Sequence, residues 1–102
     1  MYGTIAKLKV KPGQMQALKS HMTSVSSRQA PGFLAANVYQ MDADPNVLYL
    51  TVMFENKETY VTNAKSPGAD ADFKRMMQFL VADPEWHDGE VVHTAWANRG
   101  QA

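Results

Sequence analysis

The sequence predicts an α+β fold, a four-stranded antiparallel sheet with two long helices on one face in the order βαββαβ. Three observations carry that expectation. Residues 2–11 alternate apolar and polar side chains with period two. Residues 14–29 and 70–81 bring apolar side chains back at helical spacing. Residues 33–42 and 47–56 are β-rich runs separated by a short turn.

Taken in order, "YGTIAKLKVK" (2–11) sets Thr4, Ala6, Leu8 and Val10 on one side and Lys7, Lys9 and Lys11 on the other, which is a half-buried strand. Pro12-Gly13 ends it. Met15, Leu18, Met22 and Val25 then form one stripe of a helix that can dock on a sheet, and "APGF" breaks that helix. The two β-rich runs are joined through Ala43-Asp44-Pro45-Asn46, where proline fixes φ and asparagine tolerates tight geometry. Asn56 is placed to cap a short helix reaching about Lys65, and Pro67-Gly68 interrupts it. A second long helix from Asp70 to Val81 carries Phe73, Met76, Met77 and Leu80 on one face. "EVVHTAWA" (90–97) is read as the last strand, and "DPEWHDGE" before it as a connection built on the turn dipeptides Asp83-Pro84 and Asp88-Gly89. Right-handed crossovers convert this order into a ferredoxin-like sandwich. Residues 1–97 make its single domain and 98–102 a loose tail.

The composition narrows the function. Apolar residues are 45 % and charged residues 20 % of the 102, a globular balance, and ten Lys and Arg offset ten Asp and Glu. A formal net charge of zero removes the electrostatic reason to expect a nucleic acid or an anionic membrane as partner. The strands also lack the exposed aromatics beside basic residues that RNA-binding sheets use. No cysteine means no disulfide, thiol nucleophile or Cys-based metal site. With no glycine-rich phosphate loop and no convergent His/acid set, the expectation is that no metal, flavin or haem is required. "MYGTIAKLKV" alternates and carries charge rather than forming an apolar leader, and no later run could span a bilayer, so the location expected is cytoplasmic.

The second face of the sheet matters too. The third strand is apolar at Leu48, Leu50, Val52 and Phe54, yet its alternate positions are Tyr49, Thr51 and Met53. Helices can cover one face only. An open, half-apolar face marks an interface, and sheet-to-sheet pairing in a twofold homodimer would bury it.

"TIAKLKVKPGQMQAL", "PGFLAANVYQMDADPNVLYLTVMFENKETYVTNAKSP" and the closing β-run together resemble the antibiotic biosynthesis monooxygenase family, over nearly the whole chain. The resemblance implies a dimeric α+β barrel of two ferredoxin-like chains. It further implies cofactor-independent oxygenation of a small electron-rich aromatic such as a quinol or an anthrone. Many members carry a tryptophan where this chain has Phe54 and a histidine where it has Asn63. The related haem-degrading branch uses an Asn, a Trp and a His at places filled here by Ala6, Asn63 and Phe73, which disfavours haem degradation. The alternative to an oxygenase is a non-catalytic dimeric domain of the same fold that binds a small ligand or serves as a stress or accessory protein. A cavity of several hundred Å³ with a titratable group turned into it separates the two.

Candidate residues follow. His93, inside the predicted last strand, is assigned as general base, because imidazole titrates near neutrality; its structural alternative is an interface imidazole. Asn63 and Tyr60, from the helix after the third strand, are assigned as hydrogen-bond donors to a developing oxyanion, with helix-surface amide and core aromatic as the plain readings. Trp86, Phe54, Phe73 and Tyr39 are assigned to a wall for a small hydrophobic aromatic ligand; packing alone is the plain reading of Trp86. The facing of Tyr39 depends on the pleat. His21 is expected to face solvent. A zinc site at "WHDGE" is not expected, because His87 and Asp88 are neighbours that splay apart.

Overall fold

Strand β1 (Tyr2–Lys9) is central to the sheet, and its pattern shows how the layers form. In the computed structural model, which describes residues 1–97, Thr4, Ala6 and Leu8 are at most 5 % exposed, whereas Ile5 between them is 52 % exposed. The tail expected at 98–102 lies outside the described residues. The remaining elements are α1 (Met15–Ser27), β2 (Phe33–Gln40), β3 (Val47–Phe54), α2 (Lys57–Ala64), α3 (Pro67–Met77) and β4 (Glu85–Glu90). All strand pairs are antiparallel in the order β2-β3-β1-β4, the ferredoxin-like arrangement.

Local chemistry sets most boundaries. The β2–β3 turn is closed by the Val47 amide donating to the Asp44 carbonyl at 2.9 Å and by the Asn46 amide donating to Asp44 Oδ1 at 3.0 Å. Asn56 caps α2, accepting from the Thr59 amide at 2.9 Å. The second long helix starts earlier than the pattern suggested, since Ser66 Oγ caps it by accepting from the Ala69 amide at 3.1 Å. Pro67 then sits in the first turn, where an amide N–H would have no helical partner anyway. This helix also stops before Val81. The backbone beyond it is captured by the end of β1, with the Lys11 amide donating to the Phe79 carbonyl at 2.8 Å and the Val81 amide to the Lys9 carbonyl at 2.9 Å.

The last strand differs most from expectation. It runs from Glu85 to Glu90, so "DPEWHDGE" contains the strand instead of a loop, and residues 91–97 form no regular element. The register gives the reason. Lys7 pairs with Glu85 and Tyr2 with Glu90, and the Val91 amide still reaches the Met1 carbonyl at 2.8 Å. Among the described residues the ladder between β1 and β4 ends there. The β propensity of "VVHTAWA" meets no ladder partner among those residues, and His93 is not in a strand.

The apolar core comprises Ala6, Leu8, Val10, Leu18, Leu48, Met76, Phe79 and Leu80, with Met15, Met22, Leu50 and Met77 packed against it. It joins α1 and α3 to one face of β1 and β3. Gly3 marks a close approach in that pair: a Cβ there would lie 1.7 Å from the Val52 carbonyl oxygen. The opposite face carries Ile5, Tyr39, Tyr49, Thr51, Met53 and His87 and meets no helix. Among the described residues no helix is long and apolar enough to cross a membrane.

Candidate functional site

The helices stand off the sheet beside the core, and a cavity of about 770 Å³ lies between them. Its floor comes from the even-numbered side chains of β1 and β3, Thr4 and Leu48 to Phe54, because these share one face of the pleat. Its walls come from all three helices and from β2. The volume falls in the range of small-ligand sites, and the lining is mainly apolar with a few polar groups turned in.

Five of the seven candidates drawn from the sequence line this cavity: Phe54, Tyr60, Asn63, Phe73 and Trp86. Phe54 is 3 % exposed and stacks edge-on against Tyr60, with ring centroids 5.7 Å apart. Phe73 and Trp86 face each other at 6.3 Å from α3 and β4, and with 38 % and 44 % of their surfaces exposed they stand at the rim. Trp86 points to this side because it pairs with Ala6, whose side chain is in the core. Asn63 is half-buried on α2.

Two candidates do not join the site. Tyr39 pairs with Tyr49 on the helix-free face and is 58 % exposed, one residue out of phase with the cavity-lining Val38 and Gln40. His93, expected in a strand, lies exposed beyond β4 and lines no part of this chain's cavity. The imidazole on the wall is His21. It was expected to face solvent, but it lines the cavity from α1 with its Nε2 3.0 Å from the Asp72 carbonyl oxygen on α3. A carbonyl only accepts, so Nε2 is the donating nitrogen, and the neutral tautomer that makes this bond has its lone pair on Nδ1. The Asp72 carboxylate is itself paired with Arg28, tying the end of α1 to α3. His21 lies three residues after Leu18 and one before Met22, which places it on the flank of the buried stripe.

At the sheet side, Asp88 is an exposed strand residue, and it is also a structural partner. It shares its face of β4 with Trp86, and its Oδ1 accepts a hydrogen bond from the Tyr60 hydroxyl at 2.9 Å. Burial first, then this hydrogen bond, push the Tyr60 phenol from 10.0 up to about 12. Thr4 lies near enough to oppose the rise slightly, yet its Oγ1 meets no partner at hydrogen-bonding geometry. At neutral pH Tyr60 is therefore a protonated donor and not a base. The fold favours the protonated phenol, so its stabilising contribution is present below pH 10 and is lost as pH rises toward about 12. An ultraviolet titration should show one late phenolate component that disappears in Tyr60→Phe; four tyrosines ionising together would contradict the assignment.

His87 and Asp88 fall on opposite faces of β4, since His87 pairs with Ile5 and Asp88 with Thr4. Among the described residues no three His, Cys, Asp or Glu side chains converge as metal ligands.

The sequence matches the family model for antibiotic biosynthesis monooxygenase over residues 1–75. No curated protein sequence gives a significant match. Among solved structures, the chain is similar to a variant of SnoaB, a cofactor-independent oxygenase from Streptomyces nogalater. That match has TM-score 0.80 and 10 % identity, with 91 % of this chain and 94 % of that one covered. A conserved protein from Methanosarcina mazei Go1 is similar with TM-score 0.76 and 19 % identity, over 86 % of this chain and 89 % of the other. An antibiotic biosynthesis monooxygenase structure is similar with TM-score 0.74 and 15 % identity, over 91 % of this chain and all of the other (100 %). At these identities the likenesses establish the fold.

Proposed function

The chain belongs to the antibiotic biosynthesis monooxygenase family, and from that premise we propose that it oxygenates a small electron-rich aromatic, a quinol or an anthrone, without a cofactor. The observation that carries this reading is the aromatic-walled cavity of about 770 Å³ with His21, Tyr60 and Asn63 on its lining. An apolar slot between Phe54, Phe73 and Trp86 suits a flat ring and keeps water from it. The base is reassigned from His93 to His21, whose neutral imidazole accepts the phenolic proton. Asn63 offers a hydrogen bond to the oxygen that becomes negative, while the Tyr60 proton, assigned to that role from the sequence, is held by Asp88.

The protein's part ends there. Deprotonation makes the ring a reductant strong enough to pass electrons to molecular oxygen directly. For an anthrone the balance closes with one oxygen atom entering as the new carbonyl, while the other leaves as water with the two hydrogens of the oxidised carbon. The working unit is a homodimer, in which two copies cover their helix-free sheet faces.

The test is oxygen consumption by purified protein with a panel of hydroquinones and anthrones, followed together with product formation. Uptake above the spontaneous rate, equal in moles to the product formed, is the expected result. Binding of those aromatics with no uptake for any of them would overturn the oxygenase reading and leave a non-catalytic ligand-binding domain.

A further inference from the structure

Among the described residues Thr4 is the polar side chain buried with the core, 5 % exposed, and its Oγ1, though beside Tyr60, makes no hydrogen bond of good geometry. Buried hydroxyls are nearly always satisfied, because leaving one unpaired costs the full desolvation of the group. Thr4 lines the cavity, and on the neighbouring strand it pairs with Asp88, the residue that accepts from the Tyr60 hydroxyl. One strand and one helix thus bring two hydroxyls, those of Thr4 and Tyr60, to the cavity lining, while the exposed Asp88 carboxylate, outside that lining, takes the Tyr60 proton.

We infer that Thr4 and Tyr60, the latter oriented by Asp88, form a subsite for a neutral aryl hydroxyl, which deepens the oxygenase reading and rests on it for the choice of an aromatic. The donors and acceptors fit that group in particular. Thr4 Oγ1 can donate to the ligand oxygen. Tyr60 gives its own proton to Asp88, so the Tyr60 oxygen is left to accept from the ligand hydroxyl. A phenol both accepts and donates and satisfies this arrangement. An ether or carbonyl satisfies half of it, and a carboxylate or phosphate leaves the Tyr60 oxygen without a donor while giving up its own hydration.

The experiment uses three unreactive probes under anaerobic conditions: 1-naphthol, naphthalene and 1-naphthoate, with affinities measured for wild type, Thr4→Val and Thr4→Ser. Wild type should prefer naphthol to naphthalene about 10-fold, as two modest hydrogen bonds allow, and should bind naphthoate least. Thr4→Val should bind naphthalene as before and naphthol about 5-fold more weakly, while Thr4→Ser keeps the preference. The empty Thr4→Val chain should also melt a few degrees higher than wild type, because an unpaired buried hydroxyl has become a methyl of the same shape. Equal affinity for naphthol and naphthalene in wild type would overturn the subsite, as would an unchanged naphthol affinity in Thr4→Val. A Thr4→Val chain that melts lower or fails to fold would show the hydroxyl already satisfied within the fold, with the same consequence. Because binding is read without oxygen, loss of the subsite and loss of the oxygenase reading are separate results: either can occur with the other standing.

Discussion

Replacing His21 with Gln is expected to lower quinol-dependent oxygen uptake by about two orders of magnitude while the chain keeps its fold. The fold should survive because a Gln amide can still donate to the Asp72 carbonyl, as Nε2 does at 3.0 Å. What Gln lacks is a basic lone pair. The split between kcat and KM distinguishes this from mere mispositioning. His21→Gln should lower kcat while leaving the affinity for an unreactive aromatic analogue unchanged. The charges around the ring are Asp72 with Arg28, Lys19 on the cavity lining, and Arg75, whose guanidinium lies 5.2 Å from the centre of the Phe79 ring beside His21. His93→Ala should retain most of the activity, since His93 is exposed and lies off the cavity. The reverse ranking, His93→Ala inactive and His21→Gln active, would show that a residue outside the chain's own cavity supplies the base.

The second large effect is expected at Ile5. It is 52 % exposed at the middle of the helix-free face, paired with Thr51 on one side and His87 on the other, and Met53, Tyr49 and Tyr39 extend the surface around it. If two such faces cover each other, Ile5→Glu removes an apolar contact worth about 2 kcal/mol and buries a carboxylate at a cost of several more. Twofold symmetry applies both twice. Wild type should sediment as a dimer at micromolar concentration. Ile5→Glu should sediment as a monomer and melt at least ~10 °C lower, because dimer and fold are linked by mass action. A wild-type monomer, or an Ile5→Glu dimer of unchanged stability, would remove the face from the assembly.

The helix-free face was legible in the sequence because β3 is apolar on both sides. The cavity was legible only in part. Phe54, Tyr60, Asn63, Phe73 and Trp86 were read as candidates, and they do line one chamber. Phe54 owes its position to a period-two pattern that fixes which strand residues share a face. His21 carried a weaker signal: a polar residue on the flank of a helical stripe is turned outward or inward by a few tens of degrees of helix rotation. That rotation is set by packing against α3, where the Asp72 carbonyl meets the ring.

What the sequence determined by itself were the properties that act over short range. The alternation of Thr4, Ala6, Leu8 and Val10, the caps at Asn56 and the β2–β3 turn at Asp44-Pro45-Asn46 are satisfied within a few residues of where they are written. What only the tertiary structure decided was register. "EWHDGE" became β4, and "VVHTAWA" did not, because the positions of β1 from Lys7 back to Tyr2 pair with Glu85 to Glu90. A strand is stable only where another strand supplies its hydrogen bonds, so a run of β-forming side chains states a preference that a distant segment must accept. The same register set Trp86 and Asp88 on the cavity side of the sheet and His87 on the other, left His93 outside, and brought Thr4, Tyr60 and Asp88 together from positions far apart in the chain.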